Sequence, residues 1–158
     1  MKQLCRVSIL VLTVLALFFS TATSGDIDVL KALEEIKESI EHGVSYEKLV
    51  PLLDSVQPQI DALQRGSVRK DCFRDATKRS YYWYDLGVKS WGALMDNEKQ
   101  RDRYARKAEY GDDEMKEISL KMVENYEKLI KHAQEALPSK WEYGNAEIER
   151  ARECLELK

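Results

Sequence analysis

The chain has 158 residues, of which 44% are hydrophobic and 34% are charged, and its formal net charge is −3. It contains only 7 glycines and 3 prolines. These figures exclude collagen-like, low-complexity and multi-span membrane proteins, and they are typical of one globular domain rich in charged helices.

The N-terminus has the residue order of a secretory signal. Lys2 and Arg6 precede an apolar run over residues 7–19, and small residues occupy 20–25. Basic, apolar and small residues in that order predict a cleaved signal peptide over residues 1–24. A membrane anchor is the alternative, but a span needs roughly 20 apolar residues and this run is shorter.

Small residues at two places satisfy the requirement for cleavage. Cleavage between Ser24 and Gly25 is favoured, and cleavage after Ala22 is the alternative. The expected mature chain is then a single domain, residues 25–158, secreted or periplasmic and without a transmembrane span. Loss of the two N-terminal basic residues lowers Lys+Arg from 25 to 23 against 28 Asp+Glu, which leaves a formal charge of −5. Because phosphate binding needs a basic surface, we expect no nucleic-acid partner.

The cysteine count also changes with export. Cys5 would leave with the signal, so that Cys72 and Cys154 remain. An even number of cysteines in an exported chain predicts a disulfide between them. Two independent buried thiols are the alternative.

Helical spacing begins directly after the predicted signal. The first helix is predicted from apolar residues spaced by four, three and four: Val29, Leu33, Ile36 and Ile40. It should stop at His42-Gly43. The second begins after Ser45 as N-cap and ends at Gly66. Because Pro51 and Pro58 each remove a backbone donor, we expect a kink or a split there, with Pro51 opening the longer piece.

Segment 70–96 is predicted to be the central helix of a bundle. Its apolar and small residues cover about 180° of the helical wheel, wider than the roughly 100° stripe of an ordinary surface helix. Gly87 lies inside that arc and indicates a close helix crossing. Residues 96–111 are mostly charged, and we expect a loosely held helix or a loop there.

The last part of the chain predicts two further helices. Asp112-Asp113-Glu114 opens one of them, which Pro138 should halt. A capping box at Ser139-Lys140-Trp141-Glu142 should then start a final helix. No strand-like alternation occurs. The predicted fold is therefore all-α, an up-and-down bundle of four to five helices.

One face of the central helix does not fit its buried arc. Tyr82 and Leu86 point the opposite way, among Lys78, Lys89 and other charged residues. An exposed tyrosine lying along lysine stems explains this pattern, and so does a further helix covering the face. The functional hypothesis is a partner-binding surface formed by Lys78, Tyr82, Leu86 and Lys89.

A second hypothesis concerns a pocket between helices. The residues predicted to line an apolar ligand pocket are aromatic: Trp83, Tyr84, Trp91 and Trp141. We find no zinc, haem, nucleophile or phosphate-loop motif, and His42 and His132 fall on different predicted helices. The sequence therefore predicts no catalytic residue, no metal site and no cofactor.

The functional expectation is an exported, non-enzymatic interaction module of the periplasm or cell envelope with an unidentified protein or envelope partner. A carrier of a small apolar ligand is the alternative, and an enzyme is the least favoured of the three hypotheses.

Overall fold

The computed structural model describes residues 24–156, and within that range the chain is helical with no strand. It forms four helices: α1 (Ser24–Glu41), α2 (Tyr46–Asp61), α3 (Val68–Tyr110) and α4 (Asp113–Glu156). The all-α prediction is confirmed, with four as the number of helices. The predicted signal peptide falls almost wholly on residues outside the described range. None of the four helices is both long and apolar enough to cross a membrane.

Helices α3 and α4 form a long antiparallel hairpin. They have 43 and 44 residues, and each is therefore about 65 Å long at 1.5 Å per residue. Helices α1 and α2 have 18 and 16 residues and pack against the end of the hairpin where α3 begins and α4 ends. We call this four-helix end the head, and we call the two-helix part over residues 93–136 the stalk.

The short connections are closed by specific caps. Gly43 has a φ of 75°, which lets the chain leave α1 in a left-handed turn at little cost. Ser67 caps α3 by accepting a hydrogen bond from the amide of Lys70. At the tip of the hairpin, the Asp112 carboxylate accepts one from the amide of Met115 at 2.9 Å. Each cap satisfies a backbone donor or fixes a turn, so the helix ends are well defined.

The hydrophobic core lies in the head, and all four helices contribute to it. Leu33 of α1, Leu49 of α2 and Ile148 of α4 are completely buried, and Phe73 of α3 is 2% exposed. Ion pairs also join α1 to α4: Arg152 to Glu34 at 2.5 Å, and Lys37 to Glu149 at 3.4 Å. The four helices of the head therefore pack as one unit.

Two glycine–aromatic contacts bring α3 and α4 close together. The ring of Trp141 lies over Gly87, where an added Cβ would overlap it, and the ring of Tyr84 lies over Gly144, where a Cβ would be 2.5 Å from it. The Tyr84 hydroxyl donates to Asn145 Oδ1 at 2.6 Å. The close approach predicted at Gly87 is thus made by an indole ring. Each helix supplies one glycine and one ring.

The predicted break at Pro138 is wrong, because α4 continues through that residue to Glu156. Ser139, expected to cap a new helix, lies inside α4, and its hydroxyl donates to the carbonyl of Ala136. The Lys140 ammonium donates to the same carbonyl at 3.3 Å. Pro138 is exposed, so the carbonyl that it leaves without a donor lies on the solvent side. Packing of the buried face then holds the helix together.

The two prolines of the second helix are tolerated in the same way as Pro138. Pro51 and Pro58 do not split the second helix, since both lie inside α2 and both are exposed. Side chains within α2 donate hydrogen bonds to its backbone carbonyls: the Ser55 hydroxyl to the carbonyl of Leu52, and the Gln59 amide to the carbonyl of Ser55. Of the two alternatives expected for residues 96–111, the helix is the one observed, since residues 96–110 form the end of α3.

The structure pairs Cys72 with Cys154 in a disulfide, which the cysteine count predicted. Their Cα atoms are 5.7 Å apart and the residues are 82 positions apart in the sequence. The bond joins the start of α3 to the end of α4, beside the core of the head. It therefore ties together the two helix ends that are farthest from the tip of the hairpin.

Replacing Gly87 with Ala should test the glycine–aromatic contacts. Helix propensity alone favours Ala by about 1 kcal/mol. Because the new Cβ overlaps the Trp141 ring, we expect instead a net loss of about 1–3 kcal/mol in the free energy of unfolding, measured in urea.

Gly92→Ala is the matched control in the same helix. Its Cβ would meet the hydroxyl of Tyr46 at 2.8 Å, the far end of a side chain that can turn away. We expect the free energy of unfolding to stay within about 0.5 kcal/mol of the wild type or to rise. Equal losses from the two substitutions would contradict the role given to Trp141.

Reduction should test the disulfide. The intact mass should rise by about two hydrogens as the sulfur–sulfur bond is broken. The free energy of unfolding should fall by about 4 kcal/mol, because the reduced unfolded chain regains the freedom of the closed loop. Cys72→Ser should show the same lower stability and no further loss on reduction. An unchanged mass on reduction would mean that the two cysteines are not bonded.

Candidate functional site

The predicted partner surface lies on the outside of α3. Tyr82 is 56% exposed, Lys78 and Lys89 are exposed, and Leu86 is half-buried. Their spacing of four, four and three residues places them along one side of the helix. The Lys89 ammonium bonds to Asp85 at 2.6 Å, which holds this cation beside the strip. Helices α1 and α2 leave the Tyr82 ring open to solvent.

Helix α4 adds a tyrosine to this surface. Tyr143 is 55% exposed, and its ring lies 4.8 Å from that of Trp83, centroid to centroid. The Tyr82 ring also contacts Trp83, edge to face, with the ring centroids 5.4 Å apart. We call Tyr82, Trp83 and Tyr143 the aromatic patch. Two of its residues come from α3 and one from α4.

An ion pair holds the two helices together beside the patch. Arg79 Nε lies 2.9 Å from Glu147 Oε1, and these residues are one helical turn from Trp83 and Tyr143 respectively. Arg79 is more exposed than Glu147, with 43% against 19% of the side chain accessible. The guanidinium therefore lies at the edge of the patch. Together with Lys78 and the Lys89–Asp85 pair it gives the aromatic surface a charged rim.

The sequence analysis did not find Tyr143. That residue lies on the side of α4 turned toward Trp83, and only the register between the two helices reveals this. The predicted break at Pro138 also placed Tyr143 in a separate helix of unknown direction. A signal was available in the spacing, since Tyr143 and Glu147 lie four residues apart, as Arg79 and Trp83 do.

The four aromatic residues predicted to line a ligand pocket do not share one neighbourhood. Tyr84 and Trp141 meet in the interhelical space, with centroids 6.2 Å apart. Trp83 packs on Tyr143, whereas Trp91 meets Tyr46 of α2 edge-on at 5.8 Å. Each ring has a protein side chain as its immediate neighbour.

Tyr84 is a structural residue. It is completely buried, and this burial raises the pKa of its phenol well above the ordinary value. The hydroxyl therefore stays protonated and serves as a donor to Asn145.

A cleft of about 450 Å³ lies elsewhere in the head, between the start of α1 and the end of α2. Its lining includes Asp26, Asp28, Gln59, Gln64 and Lys70, and it contains none of the four predicted pocket residues. Val29, Ala62 and Leu63 line the cleft together with these polar groups, so its lining is mixed.

Groups that could support metal binding are dispersed. Over residues 24–156, no three His, Cys, Asp or Glu side chains are grouped as metal ligands would be. His42 Nδ1 lies 2.7 Å from the carbonyl oxygen of Glu38 at the end of α1, and His132 is exposed on α4. His42 lies in the turn that follows α1, and His132 lies within α4.

Comparison with known proteins gives no guide to this surface. No protein-family model, curated protein or solved structure matches the chain.

Substitutions at Tyr82 and Tyr84 should separate the surface from the core. Tyr82→Ala should change the free energy of unfolding by no more than about 0.5 kcal/mol, because the ring is exposed. Tyr84→Phe should cost about 1–2 kcal/mol, since it leaves Asn145 Oδ1 without its donor in a partly buried place. Unfolding in urea followed by circular dichroism measures both. A loss of several kcal/mol from Tyr82→Ala would mean that this face is covered.

Proposed function

We propose that this chain is an exported, non-enzymatic interaction module of the periplasm or cell envelope, and that its head binds a protein partner through the aromatic patch. The observation that carries this proposal is the patch itself. Two tyrosines more than half exposed flank one tryptophan on a single surface built from two helices.

The composition of the patch favours a protein partner. Tyrosine, tryptophan and arginine are the residues most enriched at the centres of protein–protein interfaces. Tyr and Trp also offer large contact areas with few rotatable bonds, so that little conformational entropy is lost on binding. Lys78, Arg79 and Lys89 form a charged rim around the rings, as the edge of an interface typically has.

The surface is held in place before a partner arrives. The Arg79–Glu147 ion pair lies beside the rings, and the Cys72–Cys154 disulfide fixes the ends of the same two helices. A surface that is already ordered loses less free energy on association than a flexible one.

Two observations support export. The N-terminal residues have the order of a signal peptide, and the paired cysteines suit an oxidising compartment. Cleavage before Gly25 would release the four-helix head and the stalk as one chain.

The carrier hypothesis receives less support. Its four aromatic residues pack against protein side chains in separate places, and none of them lines the cleft of the head. The mature charge of −5 likewise disfavours a nucleic acid or an anionic lipid surface as the main partner.

Site-specific photocrosslinking should test the proposed partner surface. The full chain is expressed in its native cells with a photoreactive amino acid in place of Tyr82 and, separately, of Tyr143. Both positions should yield an adduct with the same protein, since both rings lie on one patch. Mass spectrometry identifies that protein and also gives the N-terminal residue of the exported chain.

Ile27 provides the control position. It is 41% exposed on α1, outside the patch, and should give no adduct with that protein. Trp83→Ala should greatly reduce the adduct at position 82 while leaving the protein folded. Equal adducts at Ile27 and Tyr82, or none at either tyrosine, would contradict the proposal.

A further inference from the structure

Burial along α3 and α4 recurs at intervals of seven residues. The buried residues of α3 include five that are separated by multiples of seven: Phe73, Ser80, Gly87, Leu94 and Ala108. On α4, Ser119 and Cys154 are both buried and are 35 residues apart, which is five sevens. This repeat is typical of two helices that coil around each other. Residues spaced by seven therefore keep the same angle to the neighbouring helix along the whole hairpin.

One side of α4 has no Asp, Glu, Lys or Arg over residues 115–146, although ten of the 32 residues in that range are charged. The residues of this side alternate at intervals of three and four, and we call them the outer seam: Met115, Ile118, Met122, Asn125, Leu129, His132, Ala136, Ser139, Tyr143 and Ala146. Alternation of three and four is the spacing of a helix face that packs on another helix. The outer seam is therefore a second packing face of α4, beside the one that meets α3.

The outer seam is exposed and is continuous with the aromatic patch. Ile118 is 51% exposed, Leu129 is 51% exposed and Tyr143 is 55% exposed. Tyr143 belongs to both surfaces, and it is 14 residues, or two sevens, from Leu129. The whole seam is about 45 Å long at 1.5 Å per residue. The surface open to a partner therefore extends from the head almost to the tip of the hairpin.

Helices α1 and α2 pack on the other side of the hairpin. Arg152, which bonds to Glu34 of α1, is nine residues or two and a half turns from Tyr143 and therefore points the opposite way. Leu120 has the same relation to Leu129 and is 53% exposed. The helix that borders the outer seam is α3, so the seam has one neighbour on one side and solvent on the other.

We infer that the protein partner proposed for the aromatic patch binds by an amphipathic helix that lies along the outer seam and forms a three-helix coil with α3 and α4. This inference rests on the proposed function and names the element that the partner supplies. A long apolar seam at helical spacing is the surface on which an amphipathic helix docks. Asn125 and His132 interrupt the apolar residues of the seam, and single polar residues in such a seam fix the register of the bound helix.

The charges beside the middle of the seam favour an acidic helix. Four exposed cations lie there: Arg103 and Lys107 of α3, and Lys121 and Lys128 of α4. Arg103 is 21 residues, or three sevens, from Tyr82, and Lys107 is equally far from Leu86, so each lies on the same side of α3 as that residue. Charges that flank a seam of this kind select the partner by their sign. We therefore expect acidic residues on the bound helix opposite these four cations.

Contacts within the hairpin hold the cations in these places. The rings of Tyr104 and Tyr126 stack with centroids 5.9 Å apart and so bring this part of α3 level with this part of α4. The Lys107 ammonium lies over the Tyr104 ring, 5.1 Å from its centroid. Lys121 bonds to Glu117 and Lys128 to Glu124, on the flank of α4 that is farther from the seam. An acidic helix on the seam would therefore meet ordered cations from both helices.

Photocrosslinking along α4 should test the inference. The full chain is expressed in its native cells with a photoreactive amino acid in place of Ile118 or Leu129, and in place of Tyr143 as the reference. All three positions should give an adduct with the same protein, since they lie on one face of the helix. Leu120 is the matched control, because it is as exposed as Leu129 and points the opposite way. It should give no adduct with that protein.

The sites of attachment in the partner should show whether it is helical there. Ile118 and Leu129 are 11 residues apart, which is about 16 Å along α4. A second helix covers this distance in about 11 residues, whereas an extended segment covers it in about 5. Mass spectrometry of the crosslinked peptides should place the two adducts about 11 residues apart in the partner. A separation of about five residues would overturn the bound helix.

A charge reversal tests the acidic character of that helix. Lys107→Glu should lower the yield of the adduct at Ile118 about threefold, the factor expected from the loss of exposed ion pairs. Lys131→Glu is the control and should leave the yield unchanged, because Lys131 is nine residues from Met122 and points away from the seam. Circular dichroism checks that both variants retain their helices. Equal yields from the two variants would overturn the acidic partner.

The outcomes separate this inference from the proposed function. Adducts at Tyr82 and Tyr143 without any at Ile118 and Leu129 would overturn the bound helix and leave the aromatic patch as the partner surface. No adduct with another protein at any of the four positions would overturn both. Adducts at Ile118 and Leu129 with lipid, with a second copy of this chain or with a different protein would also overturn the bound helix.

Discussion

The reciprocal contact between two glycines and two aromatic rings sets the position of α3 against α4. Gly87 admits the indole of Trp141, and Gly144 admits the phenol of Tyr84. Because each ring fills the place where a side chain would otherwise stand, sliding one helix along the other would bring both rings against Cβ atoms. Close packing of this kind permits few alternatives. The buried bond from Ser80 Oγ to the Gly144 carbonyl, at 3.0 Å, reinforces the same position.

That single register determines which residues meet on the surface. The Cys72–Cys154 disulfide is followed, seven residues later in α3 and seven residues earlier in α4, by the Arg79–Glu147 ion pair. Four residues beyond that pair in the same two directions, Trp83 contacts Tyr143. Contacts at these intervals recur on one side of a helix pair. The glycine–aromatic contacts, the disulfide and the aromatic patch are therefore consequences of one arrangement of α3 and α4.

The head and the stalk differ in how far their apolar residues are buried. In the head, α1 and α2 cover the hairpin and complete a core that includes Leu33, Leu49 and Phe73. In the stalk no other helix of residues 24–156 covers the hairpin, and Ile118 and Leu129 remain half exposed.

By itself the sequence determined the helical class, the stop at Gly43, the exposed position of Tyr82 and the pairing of Cys72 with Cys154. These follow from local spacing, backbone preference and counting, which need no knowledge of neighbours. Only the tertiary structure decided that α4 continues through Pro138 and that Tyr143 joins Trp83. A proline breaks a helix only when the lost hydrogen bond outweighs the packing of the buried face, and that packing depends on a second helix whose register the local sequence does not encode.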